Sequence, residues 1–370
     1  MKTNLPLTKS ALVLLLSVAV LFSACKKDHA DHPPVINGTA GVYVLCEGSY
    51  GKANSAITYY DINTNTATAD IFQKVNNAAL GESANDLQQY GSKMYCVVSG
   101  IKGNQQSFVD VLDLKTCKLI KQISFNATTG GALPRRIAFY QGKAYISRYD
   151  GKVSRLDTAT LAVDGEVTLS EGLEGLAVAN GKLYVANSAN FQYTNGKGNV
   201  ISVVDLNTFT KTKDIKVSYN PISVAAASSG DVYNVAAGDY YTIPAALTRI
   251  SSAADTLVKT YTTYSNYSLL SISGTAGYVL TEPYSNPVIR TLNVSNGTLG
   301  SSNFITDGTK ITTIYSLTIN PFQNDVVITD ANSYSATAGK VYYFSADGKI
   351  KYSFASASFP QRAVFVYKYE

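Results

Sequence analysis

The sequence predicts an all-β fold: a single seven-bladed β-propeller of four-stranded antiparallel blades, closed by a C-terminal strand that completes the first blade. Three observations predict it. An anchor residue recurs at Tyr43, Tyr95, Tyr145, Tyr184, Tyr233, Tyr278 and Val327, at intervals of 39 to 52 residues. A period of roughly 40–50 residues enclosing short alternating strands is the mark of propeller blades. Glycine- and asparagine-rich turns follow one another too closely for helices of 3.6-residue periodicity after the N-terminal apolar stretch. The two ends are also complementary. The first unit begins at Val42-Tyr43-Val44-Leu45 with no strand before it, and the chain finishes with Pro360-Gln361-Arg362-Ala363-Val364-Phe365-Val366, an opening strand with nothing after it.

Taken in chain order, residues 1–24 read as a lipoprotein signal peptide. Lys2 and Lys9 supply its positive start, and Ala11 to Phe22 form an apolar segment too short to span a bilayer as a helix. Small residues Ser23-Ala24 precede Cys25, the expected lipidation site. Residues 25–40, with Lys26-Lys27-Asp28 and Pro33-Pro34, read as a polar tether. Lys26 rather than Asp follows Cys25, so the inner-membrane retention signal is missing. An outer-membrane, lipid-anchored and cell-surface location is the expectation. Residues 41–370 form the propeller.

Each unit reads as four strands. The first opens at Pro-x-x-(Ile/Val), as in Pro134-Arg135-Arg136-Ile137 and Pro221-Ile222-Ser223-Val224. A tight turn such as Gln141-Gly142-Lys143 or Asn180-Gly181-Lys182 follows, where glycine supplies positive φ. The anchored second strand leads to a third that ends in Asp113, Asp157 or Asp205. A Thr just beyond (Thr116, Thr160, Thr208) lets the Asp close the next turn through its side chain. The fourth strand is more polar, as in Leu119-Ile120-Lys121-Gln122-Ile123.

Composition narrows the function. Charged residues make up 15% of the chain and Tyr is abundant at 27 with no Trp, a palette that suits exported β proteins. The net charge of +5 is dispersed and excludes a nucleic-acid partner. Three cysteines remain after Cys25. Cys46 and Cys96 fall in strands as small core hydrophobes, and the odd count that Cys117 completes leaves at least one thiol free. The only histidines, His29 and His32, lie in the tether, so Ser-His-Asp and His-metal chemistry are absent from the propeller. No metal or cofactor site is expected. Binding is favoured over catalysis, the alternatives being a glycan-active hydrolase or lyase built on carboxylates or Tyr, or a structural or adhesive surface protein.

Up-and-down strand order puts the long loops on one face. These are Glu47–Ser55, Ser99–Gln106, Asn187–Gly198, Ala237–Ala245, Glu282–Pro287 and Thr329–Ala338, all rich in Tyr, Asn and Ser. Long loops on a rigid scaffold are where function concentrates. Candidate ligand contacts there are Tyr50, Arg148, Tyr149, Phe191, Tyr193, Tyr240, Tyr241, Tyr267, Tyr284, Tyr315 and Tyr334, whose rings suit a flat amphipathic ligand. A second group, Asn85, Asp86, Arg135, Arg136, Glu174 and Arg362, precedes the innermost strands and should ring the mouth of the central channel. Such charges either orient a polar ligand or pair among themselves.

Tyr184-Val185-Ala186-Asn187 with Ile201-Ser202-Val203-Val204-Asp205 resembles the repeats of the YVTN-type (YncE-like) propeller family. The segment Tyr43-Val44-Leu45-Cys46-Glu47-Gly48-Ser49-Tyr50-Gly51 with Asn54-Ser55-Ala56-Ile57 is similar to surface lipoproteins of the BtuG type. That resemblance implies a small-molecule ligand such as a corrinoid (cobalamin) and a TonB-dependent outer-membrane transporter as partner.

Overall fold

The computed structural model describes residues 35–104, 106–126, 131–189, 195–334 and 337–370. The predicted signal peptide, Cys25 and nearly all of the tether lie outside the described residues. The chain divides into two units. In the smaller, the described residues are 35–37 and 368–370, where Val35 and Glu370 exchange backbone hydrogen bonds of 3.4 and 3.0 Å. The larger, residues 38–367, is the propeller.

Seven antiparallel sheets form its ring. Blade 1 runs, from the channel outward, Pro360–Tyr369, Ile36–Cys46, Ala56–Asp61 and Thr66–Thr68. The last strand of the chain is therefore the innermost strand of the first blade, as the complementary ends predict. Glu47 N donates to Phe359 O at 2.9 Å beside this pairing. Joining both ends of the chain within one sheet removes the edges an open array would expose.

The inner strands of blades 2 to 7 are Ala84–Tyr90, Pro134–Tyr140, Leu173–Ala179, Pro221–Ala226, Tyr267–Ser273 and Ile314–Ile319. Blades 2, 3, 4, 5 and 7 have four strands each, and blade 6 has three. The fourth strand of blade 6 is reduced to an isolated bridge between Leu292 and Leu299, which flanks a turn closed by Gly297 N donating to Asn293 O at 2.7 Å. A six-residue helix, Ile71–Asn76, links blades 1 and 2. It is capped by Asp70, whose carboxylate accepts from Gln73 N at 3.0 Å, and its Phe72 is buried. Sequence periodicity had not singled out so short a helix.

The repeat's residues have visible jobs. Every anchor is buried, and several tie one blade to the next. Tyr43 donates to Lys115 O of blade 2 at 3.4 Å, Tyr184 to Asp255 Oδ1 of blade 5 at 2.5 Å, and Tyr233 to Val294 O of blade 6 at 3.0 Å. The Asp-Thr turns close as expected. Asp157 Oδ1 accepts from Ala159 N, Thr160 N and Thr160 Oγ1 at 2.7–3.0 Å, and Asp113 and Asp205 repeat the pattern. Cys46, Cys96 and Cys117 are buried free thiols. No helix of the described residues is long and apolar enough to cross a membrane.

One recurrent feature positions the channel mouth. In blades 2 to 7 the inner strand slips register against its neighbour within its first few residues, as between Ala84 and Asp86, Pro134 and Ile137, and Leu173 and Leu176. Such bulges re-aim side chains and leave backbone groups without a ladder partner. Hydroxyls of the preceding blade reach these strand openings: Ser99 donates to Pro134 O and Ser147 to Glu174 O at 2.7 Å, and at the start of the inner strand of blade 1 Thr329 donates likewise to Pro360 O at 2.6 Å.

Candidate functional site: the loop-rich mouth of the channel

The bulged strand ends surround a cavity of about 380 Å³ at the upper end of the channel, and a wider space of about 660 Å³ continues below it. The upper volume lies within the range of ligand pockets, ~300–1,000 Å³. Its lining divides into two arcs. Blades 1 to 4 contribute all the charged side chains, Arg362, Asp86, Arg135, Arg136 and Glu174, with Gln361, Gln88 and the apolar Ile137 and Leu176, whereas blades 5 to 7 contribute Ile222, Val224, Leu269, Leu270, Tyr315 and Leu317 with Ser223, Ser268 and Ser316.

The charged arc is cross-linked. Arg135 forms a fork to Glu174, Nε to Oε2 at 3.3 Å and Nη2 to Oε1 at 3.1 Å, with its guanidinium 4.6 Å above the Tyr149 ring. Tyr149 donates to the same carboxylate, and Arg135 also donates to Asn85 Oδ1. Burial opposes the charge on Arg135, but Glu174 and then Tyr149 hold its pKa above the ordinary arginine value. Burial likewise raises the Tyr149 phenol, so it keeps its proton. Asp86 is buried. Its Oδ1 accepts from Arg362 Nε at 3.2 Å, Leu87 N at 3.0 Å and Gln88 Nε2 at 3.2 Å, and its Oδ2 from Ile137 N at 3.1 Å. Among the described residues the Arg136 side chain bonds through Nη1 alone, to Asn85 O and to Gln361 Oε1 at 3.0 Å.

On the opposite side Tyr315 donates to Glu47 Oε2 at 2.7 Å, and burial followed by that carboxylate raises its phenol. Above this arc stand rings that are almost unburied: Tyr240, Tyr241, Tyr284 and Tyr334 are between 67% and 94% exposed. The phenol of Tyr284 is raised by partial desolvation and then by its neighbours Tyr240 and Tyr334, and Tyr334 also acts on Tyr315. Tyr240, Tyr284 and Tyr334, on the loops of blades 5, 6 and 7, thus neighbour one another, with Tyr334 near the cavity-lining Tyr315, and none of the three lines the cavity itself.

The residues singled out from sequence fall into four places. Asn85, Asp86, Arg135, Arg136, Tyr149, Glu174, Tyr315 and Arg362 meet at the mouth, and Tyr240, Tyr241, Tyr284 and Tyr334 crown blades 5 to 7. Tyr50 is exposed on a loop of blade 1. Arg148 and Tyr267 do not line the channel. Arg148 is buried within blade 3, bonded to Asp150, Glu166 and Ser154 Oγ. Tyr267 packs in the core between blades 5 and 6, its hydroxyl accepting from Tyr264 N at 3.2 Å. Phe191 and Tyr193 lie outside the described residues. Sequence reasoning passed over Leu269, Leu270 and Leu317 as lining. They read as ordinary strand hydrophobes, and only the bulges mark them. Among the described residues, no group of three or more His, Cys, Asp or Glu side chains is gathered to hold a metal ion.

Residues 40–366 match the model of a family described as Domain of unknown function (DUF5074). The chain belongs to that family. No curated relative matches the sequence. Among solved structures, it is similar to a chain of Kuenenia stuttgartiensis hydrazine synthase at 16% identity, covering 69% of this chain and 74% of that one with a TM-score of 0.53. The computationally designed Ika8 protein is similar at 15% identity, with 86% and 88% covered and a TM-score of 0.53. A chain of the Mitotic Checkpoint Complex is similar at 12% identity, with 93% and 99% covered and a TM-score of 0.57. Likeness at these identities shows the propeller fold alone, which serves many unrelated functions.

Proposed function

We propose that this DUF5074 propeller is a lipid-anchored binding protein of the cell envelope, which captures a small ring-bearing molecule across the loop-rich mouth of its channel. The observation that carries the reading is the cavity of about 380 Å³ with both charged and apolar lining, together with the exposed phenols of Tyr240, Tyr284 and Tyr334 on the loops of blades 5 to 7. Tyr rings give large contact area at low entropic cost, and a flat ligand can stack on them while its edge reaches the polar arc. The finer reading is a corrinoid-type nutrient passed to a TonB-dependent outer-membrane transporter. It is supported by the resemblance of the Tyr43–Ile57 segment and by the leader ending at Ser23-Ala24-Cys25.

Binding fits the mouth better than paired-acid hydrolysis does. A glycosidase needs one carboxylic acid that keeps its proton until the leaving group takes it. Asp86 and Glu174 are each bonded to an arginine, so both are committed to bracing the mouth rather than aimed at a substrate.

A thermal-shift screen of the full chain against corrinoids, haem and oligosaccharides tests the reading. A ligand at a hundredfold its Kd should stabilise the protein by ~2.7 kcal/mol. If none of the three classes moves the melting temperature well above micromolar concentration, the binding reading falls. If only corrinoids fail, the corrinoid assignment falls. Incorporation of labelled palmitate that disappears in Cys25→Ala tests the anchor, and unlabelled wild-type protein would contradict it.

A further inference from the structure

Among the described residues, the mouth holds one cation whose charge is not matched by a contacting carboxylate. Three arginines line the upper cavity, Arg135, Arg136 and Arg362, against two carboxylates, Asp86 and Glu174. Glu174 is taken by Arg135 and Asp86 by Arg362. Glu47 stands nearby, but its Oε2 accepts from the neutral donors Tyr315 Oη at 2.7 Å and Gln361 Nε2 at 3.1 Å. Among the described residues it makes no ion pair. Arg136 is fixed through Nη1 alone, to Asn85 O and Gln361 Oε1. Its Nε and Nη2 have no acceptor among the described residues, so three of its five N–H groups remain. A guanidinium held in place by one nitrogen, with the rest of its donor fork unused, is suited to a planar or tetrahedral oxyanion. Facing it across the cavity is the apolar wall of Leu269, Leu270 and Leu317.

We infer that Arg136 is the seat for a carboxylate or phosphate group on a ring-bearing small molecule, whose apolar part lies against the Leu269–Leu317 wall beneath the tyrosine crown. The inference rests on the reading of the mouth as a ligand site and narrows it from ring-bearing molecules in general to anionic ones. Arg135 does not compete for the oxyanion because Glu174 occupies its fork. Arg362 adds attraction from the adjoining blade, with its own charge partly offset by Asp86. Arg136 also explains why Gln361 and Asn85 take part in the mouth: both present oxygens that orient the guanidinium without neutralising it.

The test uses two probes of one shape, naphthalene-2-carboxylate and its neutral analogue naphthalene-2-carboxamide, titrated calorimetrically into the full chain. The carboxylate should bind at least tenfold more tightly. In Arg136→Gln that preference should vanish while carboxamide affinity stays within twofold. Arg136→Lys, which keeps the charge but not the fork, should retain part of it. Unchanged melting temperatures of both variants establish that the fold is intact. If Arg136→Gln is destabilised, Arg136→Lys alone decides, because a drop in preference with carboxamide affinity preserved still isolates the anion. A third probe, 2-naphthyl phosphate, shows which oxyanion is preferred. Equal binding of the two naphthalenes to the wild type, or a preference that survives Arg136→Gln, would overturn the inference and leave the mouth as a neutral-ligand site. If neither naphthalene binds and corrinoids, haem and glycans are also inert, the ligand-site reading itself fails and takes the inference with it.

Discussion

The two halves of the channel mouth use their polar atoms in opposite ways. Across blades 1 to 4, the charged groups are largely spent on one another, Arg135 on Glu174 and Arg362 on Asp86, with the neutral phenol of Tyr149 also donating to Glu174. Across blades 5 to 7, the channel wall is leucine, isoleucine and serine, and the loop phenols above it are exposed. Charge density in a sequence therefore marks scaffolding as readily as ligand contact. What distinguishes a recognition surface is the donor or ring that the fold leaves unused. By that criterion the charged arc is mainly a brace, with Arg136 as its exception, and the aromatic arc is the recognition surface.

The largest expected effect breaks the brace. Glu174→Ala leaves Arg135 partly buried without its carboxylate, and the loss of one member of such a pair costs about 3–5 kcal/mol. Chemical denaturation should show that loss directly, together with a fall in melting temperature. If stability changes by less than about 1 kcal/mol, the arc is not a brace.

A second test contrasts a carboxylate that has a cation with one that lacks it. Asp110 is buried in blade 2 with only Gln122 Nε2 bonded to it at 3.0 Å, and burial pushes its carboxyl up to about 6. With an unfolded value near ~3.9, the folded chain binds more protons than the unfolded chain between roughly pH 4 and 6. Stability should decline as pH rises through that window, by up to about 3 kcal/mol, and stay flat above it. Asp110→Asn should flatten that decline and raise stability at neutral pH. Denaturation midpoints of the two proteins at pH 4 and pH 7 check this, and parallel pH profiles would refute it.

The aromatic arc should behave the other way round. Tyr240→Ala, Tyr284→Ala and Tyr334→Ala together should leave stability within about 0.5 kcal/mol, as expected of exposed sites. The combined variant should also weaken binding of any ligand that raises the wild-type melting temperature by more than tenfold. The smallest effect is expected at Tyr50→Ala. That ring is as exposed as the others but stands on blade 1, away from the crown, and affinity should change less than twofold. A Tyr50 effect equal to that of the triple variant would erase the distinction between the arcs.

Much of this architecture was legible in the sequence because propeller repeats repeat their chemistry. The anchors at Tyr43, Tyr184 and Tyr233 advertise themselves through period and residue type, and each reaches a neighbouring blade in the folded protein. Asp157 and Thr160 announce their turn because no other pair closes it so economically. Pro360–Val366 was recognisable as a displaced opening strand. Placement at the mouth was also readable for Asn85, Asp86, Arg135, Arg136, Glu174 and Arg362, although the sequence reading set them just before the inner strands and the structure has them within the first three residues of those strands.

Other features leave no residue-type signal. A bulge is a backbone event, so Leu269 and Leu317 look like any alternating strand residue until the register slip is seen. Arg148 reads as a loop-edge arginine, and only the positions of Asp150, Glu166 and Ser154 show that it is consumed inside blade 3. Tyr267 sits at a strand start, where a residue or two decides between surface and core. The missing outer strand of blade 6 was not legible, because the turn at Asn293–Gly297 resembles the turns that elsewhere lead into a fourth strand.

The most direct measurement is hydroxyl-radical footprinting of the full chain with and without whichever ligand raises its melting temperature, read residue by residue. Protection should concentrate on Tyr240, Tyr284 and Tyr334, with Tyr50 and the outer-strand residues Ile120 and Val258 unchanged. Protection on those outer strands, with the three crown tyrosines as reactive as before, would contradict the assignment of the mouth as the place where the ligand docks.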